Sequence, residues 1–414
     1  MSISILQKPS DIQAAQSPIV FSVIVSGSEL NAYTASEFQY TADLYIWSGN
    51  MSQSGSYVYQ ARKFPNPSGS GIFDFSKFIN STLTDLAATN PSNIKYYKAE
   101  FGFQYYTSST NSYVTQSGGL TKVTSSAGGT MFKAYDGYNL FPQQINTSLS
   151  ASDSYWSFMT DMGSVTQSVL ATDTSNVSGS KGLNLWVGVS DSFVPSKIAC
   201  TASYENGSTA SLSTTLATGS TTSSLQITHL PSSPGDSNWS TFWPTTASLS
   251  TYKFNAYSGS VVVATLNYEI VCKHYYEPVR VAYKNRFGQF DFINFYKRHN
   301  NTFNTDQRVY QPQLGTWELP TLSYDQFQTA QQRYIVDATE VLECNTDFLQ
   351  EGYNELMKQL LVSDEIYWLY NQTSSLVKPL TIKTNSLQFK TGVNDKLIQY
   401  TIAFDIGQPY KLLL

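Results

Sequence analysis

EPVRVAYKNRFGQFDFINFYKR, residues 277–298, contains the clearest β-hairpin pattern of this 414-residue chain. VRVAY is rich in the β-branched and aromatic residues that favour strands. In the following KNRFG, Asn285 and Gly288 are residues typical of a turn. QFDFINFY then returns as a second strand. The stretch therefore predicts two antiparallel strands joined by a tight turn.

The returning strand of this hairpin has apolar residues on both of its faces. Side chains alternate along a strand, which places Phe290, Phe292 and Tyr296 on one face and Ile293 and Phe295 on the other. Such a strand is covered twice, by its own core and by a second layer that in a charge-poor protein can be another subunit. We therefore predict an interface or core hairpin built on Arg280, Tyr283, Lys284, Arg286, Phe287, Phe290, Phe292 and Phe295.

The same stretch has five basic residues among six aromatic ones, a mixture that nucleic-acid-binding surfaces also show. An RNA-recognition sheet carries the pattern K/R-G-F/Y-G/A-F-V-x-F/Y, which RFGQFDFINF matches only loosely. Asp291 within the stretch and a net charge of −5 argue against an anionic ligand. We therefore predict no direct contact with nucleic acid. The basic residues are interpreted as turn and edge charges that fix the strand register or contact an acidic neighbour.

The N-terminal third repeats the strand pattern. FQYTADLYI (38–46) alternates apolar and polar residues, the period of a strand with one buried face. Short strands separated by turn residues are typical of a β-sandwich, which we predict for residues 1–145. We also predict a short helix near 76–88 and a turn at GSGIFD (69–74). Further strands are predicted at PIVFSVIV (18–25), SYVYQARKF (56–64), KYYKAEFGFQYYT (95–107) and TMFKAYDGYNL (130–140).

Composition divides the rest of the chain into three segments. Residues 146–260 are a Ser/Thr-rich β domain with strands at LNLWVGV, KIACTASY and SLQITHL, and its tryptophans argue against disorder. Residues 261–344 are a β hairpin-rich segment, and 345–414 are a small C-terminal α+β unit. The predicted fold class is mainly β, with tandem β-sandwich domains ahead of that unit.

An amphipathic helix is predicted within residues 345–365. Its apolar stripe has the i, i+4, i+7, i+8, i+11 spacing of a helix with one buried face and consists of Leu349, Tyr353, Leu356, Met357 and Leu360. Asn345 or Thr346 is predicted to cap it. Four strands are predicted after the helix, at IYWLY, LVKPLTI, SLQFK and KLIQYTIAFDI.

Composition also indicates where the chain is made and what it contacts. Charged residues are 13% of the chain, against about 25% in an ordinary soluble domain. Aromatic residues are 14%, and surfaces poor in charge and rich in aromatics suit lasting protein contacts. No signal peptide and no membrane span are predicted. Three widely spaced cysteines, Cys200, Cys272 and Cys344, are predicted to be buried free thiols in a reducing cytoplasm.

Patterns that carry chemistry are missing from the sequence. His229, His274 and His299 lie in no catalytic motif, and neither a nucleophile elbow nor a metal-ligand spacing is present. We predict no catalytic, cofactor-binding or metal-binding residues and no enzymatic activity. A glycosidase pair could still form from strand carboxylates, which are Glu269, Asp291, Glu340 and Glu343. Hydrogen-bonded carboxylates at strand edges are the interpretation we favour.

The order of several segments resembles virion structural proteins of tailed bacteriophages, especially those infecting Bacteroidota (crAss-like and related phages). The segments are PIVFSV, FQYTADLYI and FPNPSGSGIFDFSKFI near the start, then CKHYYEPVRVAYKNRFGQFDFINF, TDFLQEGYNELMKQLLVSDEIY and LIQYTIAFD. The resemblance covers both ends of the chain, while the Ser/Thr-rich middle is not diagnostic. It implies immunoglobulin-like or fibronectin-like β-sandwich modules and no catalytic residues.

The resemblance also implies a function and a location. The expectation is a structural protein of the tail, neck or baseplate, assembled in the host cytoplasm and located in the virion tail or head–tail junction. It would act by subunit association as a homo-oligomer, in contact with other virion proteins. The alternatives are a tail protein that binds a host receptor or surface glycan, a capsid decoration protein and a polysaccharide depolymerase.

Overall fold

The computed structural model describes residues 3–25, 37–48, 56–83, 94–115, 121–122, 131–140, 158–170, 185–189, 197–215, 226–230, 249–271, 275–315, 320–321, 323, 326–371, 376–391 and 398–407. The fold is mainly β, as the sequence predicts. The chain forms two compact units. The first combines Met1–Cys272 with Tyr283–Asp291 and Glu355–Ser363, and the second combines Lys273–Ala282, Phe292–Asn354 and Asp364–Leu414.

The N-terminal part of the first unit contains two sheets and a short helix, α1, at Ser76–Ser81. Its described strands are β1 Ile3–Gln7, β2 Ile12–Ala14, β3 Val20–Val25, β4 Phe38–Trp47, β5 Ser56–Lys63, β6 Ser70–Asp74, β7 Ile94–Thr107, β8 Ser112–Thr115, β9 Thr121–Lys122 and β10 Phe132–Tyr135. One sheet has the order β1-β3-β6. The other has the order β2-β10-β7-β4-β5, and β8 and β9 also pair with β7.

These two sheets share one aromatic core. The ring of Phe21 on β3 lies 5.5 Å from that of Phe101 on β7 and 5.6 Å from that of Phe132 on β10. The Tyr40 hydroxyl on β4 donates to the Gly69 carbonyl (2.7 Å) and accepts from a backbone N–H of β3 (3.1 Å). The alternating apolar residues of both sheets therefore bury against each other, which is the packing of a β-sandwich.

The prediction of a turn at GSGIFD was wrong for most of that segment. Only Gly69 has the positive φ, +77°, of a turn glycine. From Ser70 the chain forms β6, whose Phe73 pairs with Phe21 of β3. Within this strand, position 71 requires glycine because a Cβ there would lie 2.7 Å from the Tyr40 ring. The glycine therefore marks a close approach of the backbone to a side chain and not a turn.

Seven further strands follow, and the last of them is eleven residues long. They are β11 Thr166–Leu170, β12 Leu185–Val189, β13 Lys197–Tyr204, β14 Thr209–Thr215, β15 Gln226–Leu230, β16 Leu249–Ser258 and β17 Val261–Val271. Five form a sheet in the order β11-β17-β16-β13-β14, while β12 pairs with β15. The strands predicted in the Ser/Thr-rich segment are confirmed as β12, β13 and β15. Three of its tryptophans, at positions 156, 239 and 243, lie outside the described residues.

The end of the chain forms a seven-stranded sheet and the helix α2, Tyr353–Val362. The strands are β18 Val279–Lys284, β19 Phe290–Phe295, β20 Asn300–Tyr310, β21 Gln332–Asn345, β22 Ile366–Asn371, β23 Leu376–Ile382 and β24 Thr401–Ile406. Their order is β19-β18-β22-β23-β24-β21-β20. The hairpin predicted at residues 277–298 is confirmed as β18 and β19.

The helix begins later than the sequence pattern predicts. Neither Asn345 nor Thr346 caps it: Asn345 ends β21, and the Thr346 hydroxyl accepts from the Tyr400 N–H at 2.9 Å. Leu349 instead forms a β-bridge with Ile398. The rest of the predicted stripe is buried on α2. SLQFK, predicted as a strand, is irregular in structure, and only one segment after β23 forms a described strand, β24.

The prediction of buried free thiols is confirmed for the cysteines whose side chains the structure describes. Cys200 and Cys344 are free and buried, and burial raises the pKa of both thiols, to about 12 for Cys344. Cys272 lies outside the described residues. None of the helices in the described ranges is both long and apolar enough to cross a membrane.

Candidate functional site

The turn between β18 and β19 is held by the side chain of Asn285. Its Oδ1 accepts from the N–H groups of Phe287 (2.9 Å) and Gln289 (3.1 Å). The Asn285 N–H also donates to the Gln289 carbonyl, at 2.7 Å. Gly288 completes the turn with a φ of +74°. Asn285 and Gly288, the two residues that the sequence assigns to the turn, thus determine its shape.

This hairpin tip, defined as residues 283–291, presses against the loop that follows β10. The Tyr138 N–H donates to the Arg286 carbonyl at 3.0 Å. A Cβ at Gly288 would lie 1.9 Å from the Asp136 carbonyl oxygen, and one at Gly137 would lie 2.2 Å from that of Arg286. The two backbones therefore meet with no space for a side chain at either glycine.

A buried ion pair joins the tip to the same loop. The Lys284 Nζ lies 2.8 Å from Asp136 Oδ2, and the two side chains are only 6% and 10% exposed. Gln16 supplies a second partner, because its Nε2 donates to Asp136 Oδ1 at 3.0 Å. A buried charge is tolerated when it is paired and hydrogen-bonded, and Asp136 meets both conditions.

A second buried ion pair joins the tip to the segment after residue 157. The Arg286 Nε and Nη2 donate to the two carboxylate oxygens of Asp161, at 2.5 and 2.7 Å. The Gln359 Nε2 on α2 also donates to Asp161, at 2.6 Å, while its Oε1 accepts from the Arg286 N–H. Burial lowers the pKa of the Arg286 guanidinium, but the hydrogen bond and charge of Asp161 outweigh it and the pKa is raised. The guanidinium is charged at any physiological pH.

The hairpin tip also contains the buried carboxyl group of Asp291, whose pKa is raised. Its pKa is raised to about 7, chiefly by burial; hydrogen bonds with Asn285 and Thr160 lower the pKa in part, and the charge of Asp161 adds to the increase. The Thr160 hydroxyl donates to Asp291 Oδ2 at 2.9 Å. Asp291 therefore gains a proton near neutral pH, unlike an ordinary aspartate.

The remaining candidate residues of the hairpin are packed rather than exposed. Phe287 joins a buried cluster with Ile12, Ala14, Tyr135 and Met159. The Arg280 guanidinium is buried 4.7 Å from the centre of the half-buried Phe292 ring. The other three candidates, Tyr283, Phe290 and Phe295, are also buried. This hairpin is therefore covered by its own chain.

Sequence reasoning missed the partners of the basic residues. It expected an acidic neighbour but did not identify Asp136, Asp161 or Gln359, which come from three distant segments. A general signal was available: a Lys or Arg inside an apolar strand requires a nearby carboxylate. With 30 acidic residues in the chain, that rule does not select the partner.

A second feature of interest is an exposed ribbon, formed by β20 and β21. All eleven residues of β20 are exposed. β24 pairs only with Val341–Asn345 of β21, so that Gln332–Glu340 pairs with β20 alone among the described strands. Both faces of this two-stranded part are open to solvent, and its exposed large side chains are Phe303, Val309, Tyr310, Tyr334 and Ile335.

The carboxylates considered for glycosidase chemistry fall at separate places. Glu340 and Glu343 both lie on β21, three positions apart, and so project from opposite faces. Glu269 is exposed on β17, while Asp291 is buried in the tip. Within the described ranges, no group of three or more His, Cys, Asp and Glu side chains could hold a metal ion.

Comparison with protein-family models and with curated proteins gave no match to this chain.

Proposed function

We propose that this chain is a non-enzymatic structural component of a phage particle, in the tail, neck or baseplate, and that it acts by associating with further copies of itself and with other virion proteins. The observation that carries the association is the exposed ribbon. The location in a particle rests on the resemblance of the segment order to tailed-phage virion proteins.

The ribbon requires a neighbour for a physical reason. A two-stranded hairpin in water is at best marginally stable, because it has neither a third strand nor a helix against which to bury apolar area. Here the outer part of β20 and β21 exposes Phe303, Val309 and Tyr310. Large apolar side chains grouped on an exposed element are typical of protein contact sites. A partner that covers the ribbon would bury these side chains and order the two strands.

The rest of the chain suits a permanent part of an assembly. The two sheets of the N-terminal sandwich share one aromatic core, and the hairpin tip is fastened by two buried ion pairs. Such a body presents fixed surfaces to its neighbours. We further propose that its sandwich modules are immunoglobulin-like or fibronectin-like and arranged in tandem.

The test uses the purified full-length chain and particles of the phage that encodes it. Sedimentation velocity and negative-stain imaging should show a closed ring or another complex of repeated copies, and immunogold should label the tail or head–tail junction. A strict monomer that binds host cells or a glycan array would overturn the proposal in favour of receptor recognition. Label confined to the capsid surface would indicate decoration instead.

A further inference from the structure

The outer edge of β20 has features of a strand prepared for pairing. β20 ends its sheet, so along its eleven residues one edge lacks a neighbour among the described strands. Natural proteins usually protect such an edge with a bulge or charges, since its free N–H and C=O groups attract other strands. The charges on this edge have opposite signs.

Asp306 and Arg308 flank Gln307 on β20. Residues two apart on a strand share a face, so the acid and the base lie on the same face of the ribbon. We infer that β20 pairs antiparallel with β20 of a second copy about a two-fold axis at Gln307. That register places Asp306 opposite the second copy's Arg308, and Arg308 opposite its Asp306. This inference rests on the proposed function, because it specifies one contact through which copies associate.

The pairing inside the ribbon supports this partner. Asp306 lies directly opposite Asp337 of β21, and like charges at opposite positions destabilise a strand pair. The side chains of Asp306, Asp337 and Arg308 form no hydrogen bond or ion pair within the described ranges. In the inferred dimer, Asp306 has Asp337 on one side and an arginine on the other. The second copy thus supplies the cation that the first copy lacks at this position.

The ends of the ladder also fit the strand. With Gln307 at the axis, Thr305 pairs with Val309 of the second copy and Asn304 pairs with Tyr310, the last residue of β20. Pro312 follows, and since proline has no N–H it ends a ladder. The paired segment is therefore Asn304–Tyr310 in both copies; the register shift between Arg308 and Val309 adds its extra residue, Tyr334, to β21 and leaves β20 continuous. It buries Val309 and Tyr310, two of the apolar side chains that the ribbon exposes.

The mixed charge of the edge favours a second copy over a different partner. A strand that added to a uniformly basic or acidic partner would need charges of one sign along its edge. Here the acid and the base are symmetric about Gln307, which is the arrangement that an isologous contact requires.

Charge exchange in the full-length chain tests the register. Asp306→Arg alone places two arginines opposite two arginines, and Arg308→Asp alone places two aspartates opposite two aspartates. Each single variant should raise the dimer dissociation constant about tenfold or more in sedimentation equilibrium. An equimolar mixture of the two variants should form a heterodimer with wild-type affinity. The double variant in one chain should form a homodimer again, because exchanged charges still pair.

Cross-linking locates the axis independently. In the inferred dimer the two copies of residue 307 are directly opposite, with Cα atoms roughly 4.5–5.5 Å apart, within disulfide range. Gln307→Cys should therefore give a covalent dimer under mild oxidation. Thr305→Cys is the matched control: its two copies would be four positions apart along the ladder, about 13 Å, and should not cross-link.

The outcomes separate this inference from the proposed function. Unchanged association in both charge variants, or cross-linking at 305 rather than 307, would overturn the inference, while a ring in the same samples would keep the proposed function. Cross-linking at 307 with the predicted charge rescue would support the inference. If those dimers form no larger complex and no particle contains the chain, the proposed function fails and the inference stands.

Discussion

The guanidinium of Arg286 donates one hydrogen bond to each carboxylate oxygen of Asp161, at 2.5 and 2.7 Å, although the two residues are 125 positions apart. Gln359 donates to the same carboxylate from a third segment, 198 positions from Asp161. Arg286 thus bonds within its own chain, with its side chain only 13% exposed. This ion pair holds the hairpin tip in place, and its contribution to the free energy of unfolding can be measured.

We expect Arg286→Met to destabilise the first unit by about 3–5 kcal/mol, because removal of one partner leaves a buried, unpaired carboxylate. The shift in the urea midpoint, followed by circular dichroism, measures it. Lys358→Met is the control, since it breaks an exposed pair with Glu355 (3.0 Å) and should cost less than about 1 kcal/mol. Equal effects of the two changes would contradict the buried-pair account. Adding Asp161→Leu to Arg286→Met should recover part of the loss.

Asp291 should make stability depend on pH between about 4 and 7. Its folded-state pKa is raised to about 7, against about 3.9 in an unfolded chain. The folded state therefore binds the extra proton, so this contribution is fully present below pH 4 and is lost as pH rises through 7. The loss is on the order of 4 kcal/mol across that window.

Asp291→Asn tests this dependence because the amide resembles the protonated acid in shape and has no titration. Unfolding free energies of wild type and variant, measured from pH 4 to 8, should converge at the acid end and separate at the alkaline end, with the variant more stable there. Parallel curves would show that Asp291 does not titrate in this window.

Gly288→Ala should be severely destabilising, since the new methyl group would lie 1.9 Å from the Asp136 carbonyl oxygen at a φ of +74°. Gly207→Ala is a matched control, with a φ of +79° and no atom within 4 Å. The control isolates backbone strain, about 1–2 kcal/mol. Thermal unfolding should separate the two variants clearly. A similar loss in both would mean that the tip and the loop after β10 do not meet closely.

Tyr40→Phe should destabilise the sandwich by about 1–3 kcal/mol, because a buried carbonyl and a buried N–H each lose their partner. The hydroxyl of Tyr40, which lies on β4, bonds to the Gly69 carbonyl and the Val25 N–H, which belong to neighbouring segments of the facing sheet. Tyr113→Phe serves for comparison, since that hydroxyl accepts one long bond of 3.4 Å at the surface. Urea denaturation should show a small change for the surface variant only.

The strands of this protein are largely predictable from local pattern, and its contacts are not. FQYTADLYI and QFDFINFY form the expected strands because alternation reports which face is buried. β6 was missed because its glycine suits both a turn and a close approach, and only the Tyr40 ring decides between them. The start of α2 was missed because Leu349 satisfies a helical stripe and a β-bridge equally well.

In the candidate site, too, local features were predictable from the sequence and long-range contacts were not. Asn285 and Gly288 act within their own turn, so sequence was sufficient to assign them. Asp136 and Asp161 act across long chain separations, where no spacing rule applies. The exposed ribbon lies in the segment predicted to be hairpin-rich, but its lack of cover depends on where β24 stops pairing with β21.

The hairpin tip has a consequence for the order in which the chain folds during its synthesis. The first unit includes Tyr283–Asp291 and Glu355–Ser363. A ribosome that adds roughly 5–20 residues per second exposes Asp161 well before Arg286 exists to pair with its charge and Gln359 exists to donate a hydrogen bond to it. Until then Asp136 and Asp161 lack their cationic partners Lys284 and Arg286, and burying an unpaired carboxylate is unfavourable. We therefore expect the first unit to be completed only after α2 has been synthesised, so that a ribosome stalled near residue 272 would hold an unfinished unit.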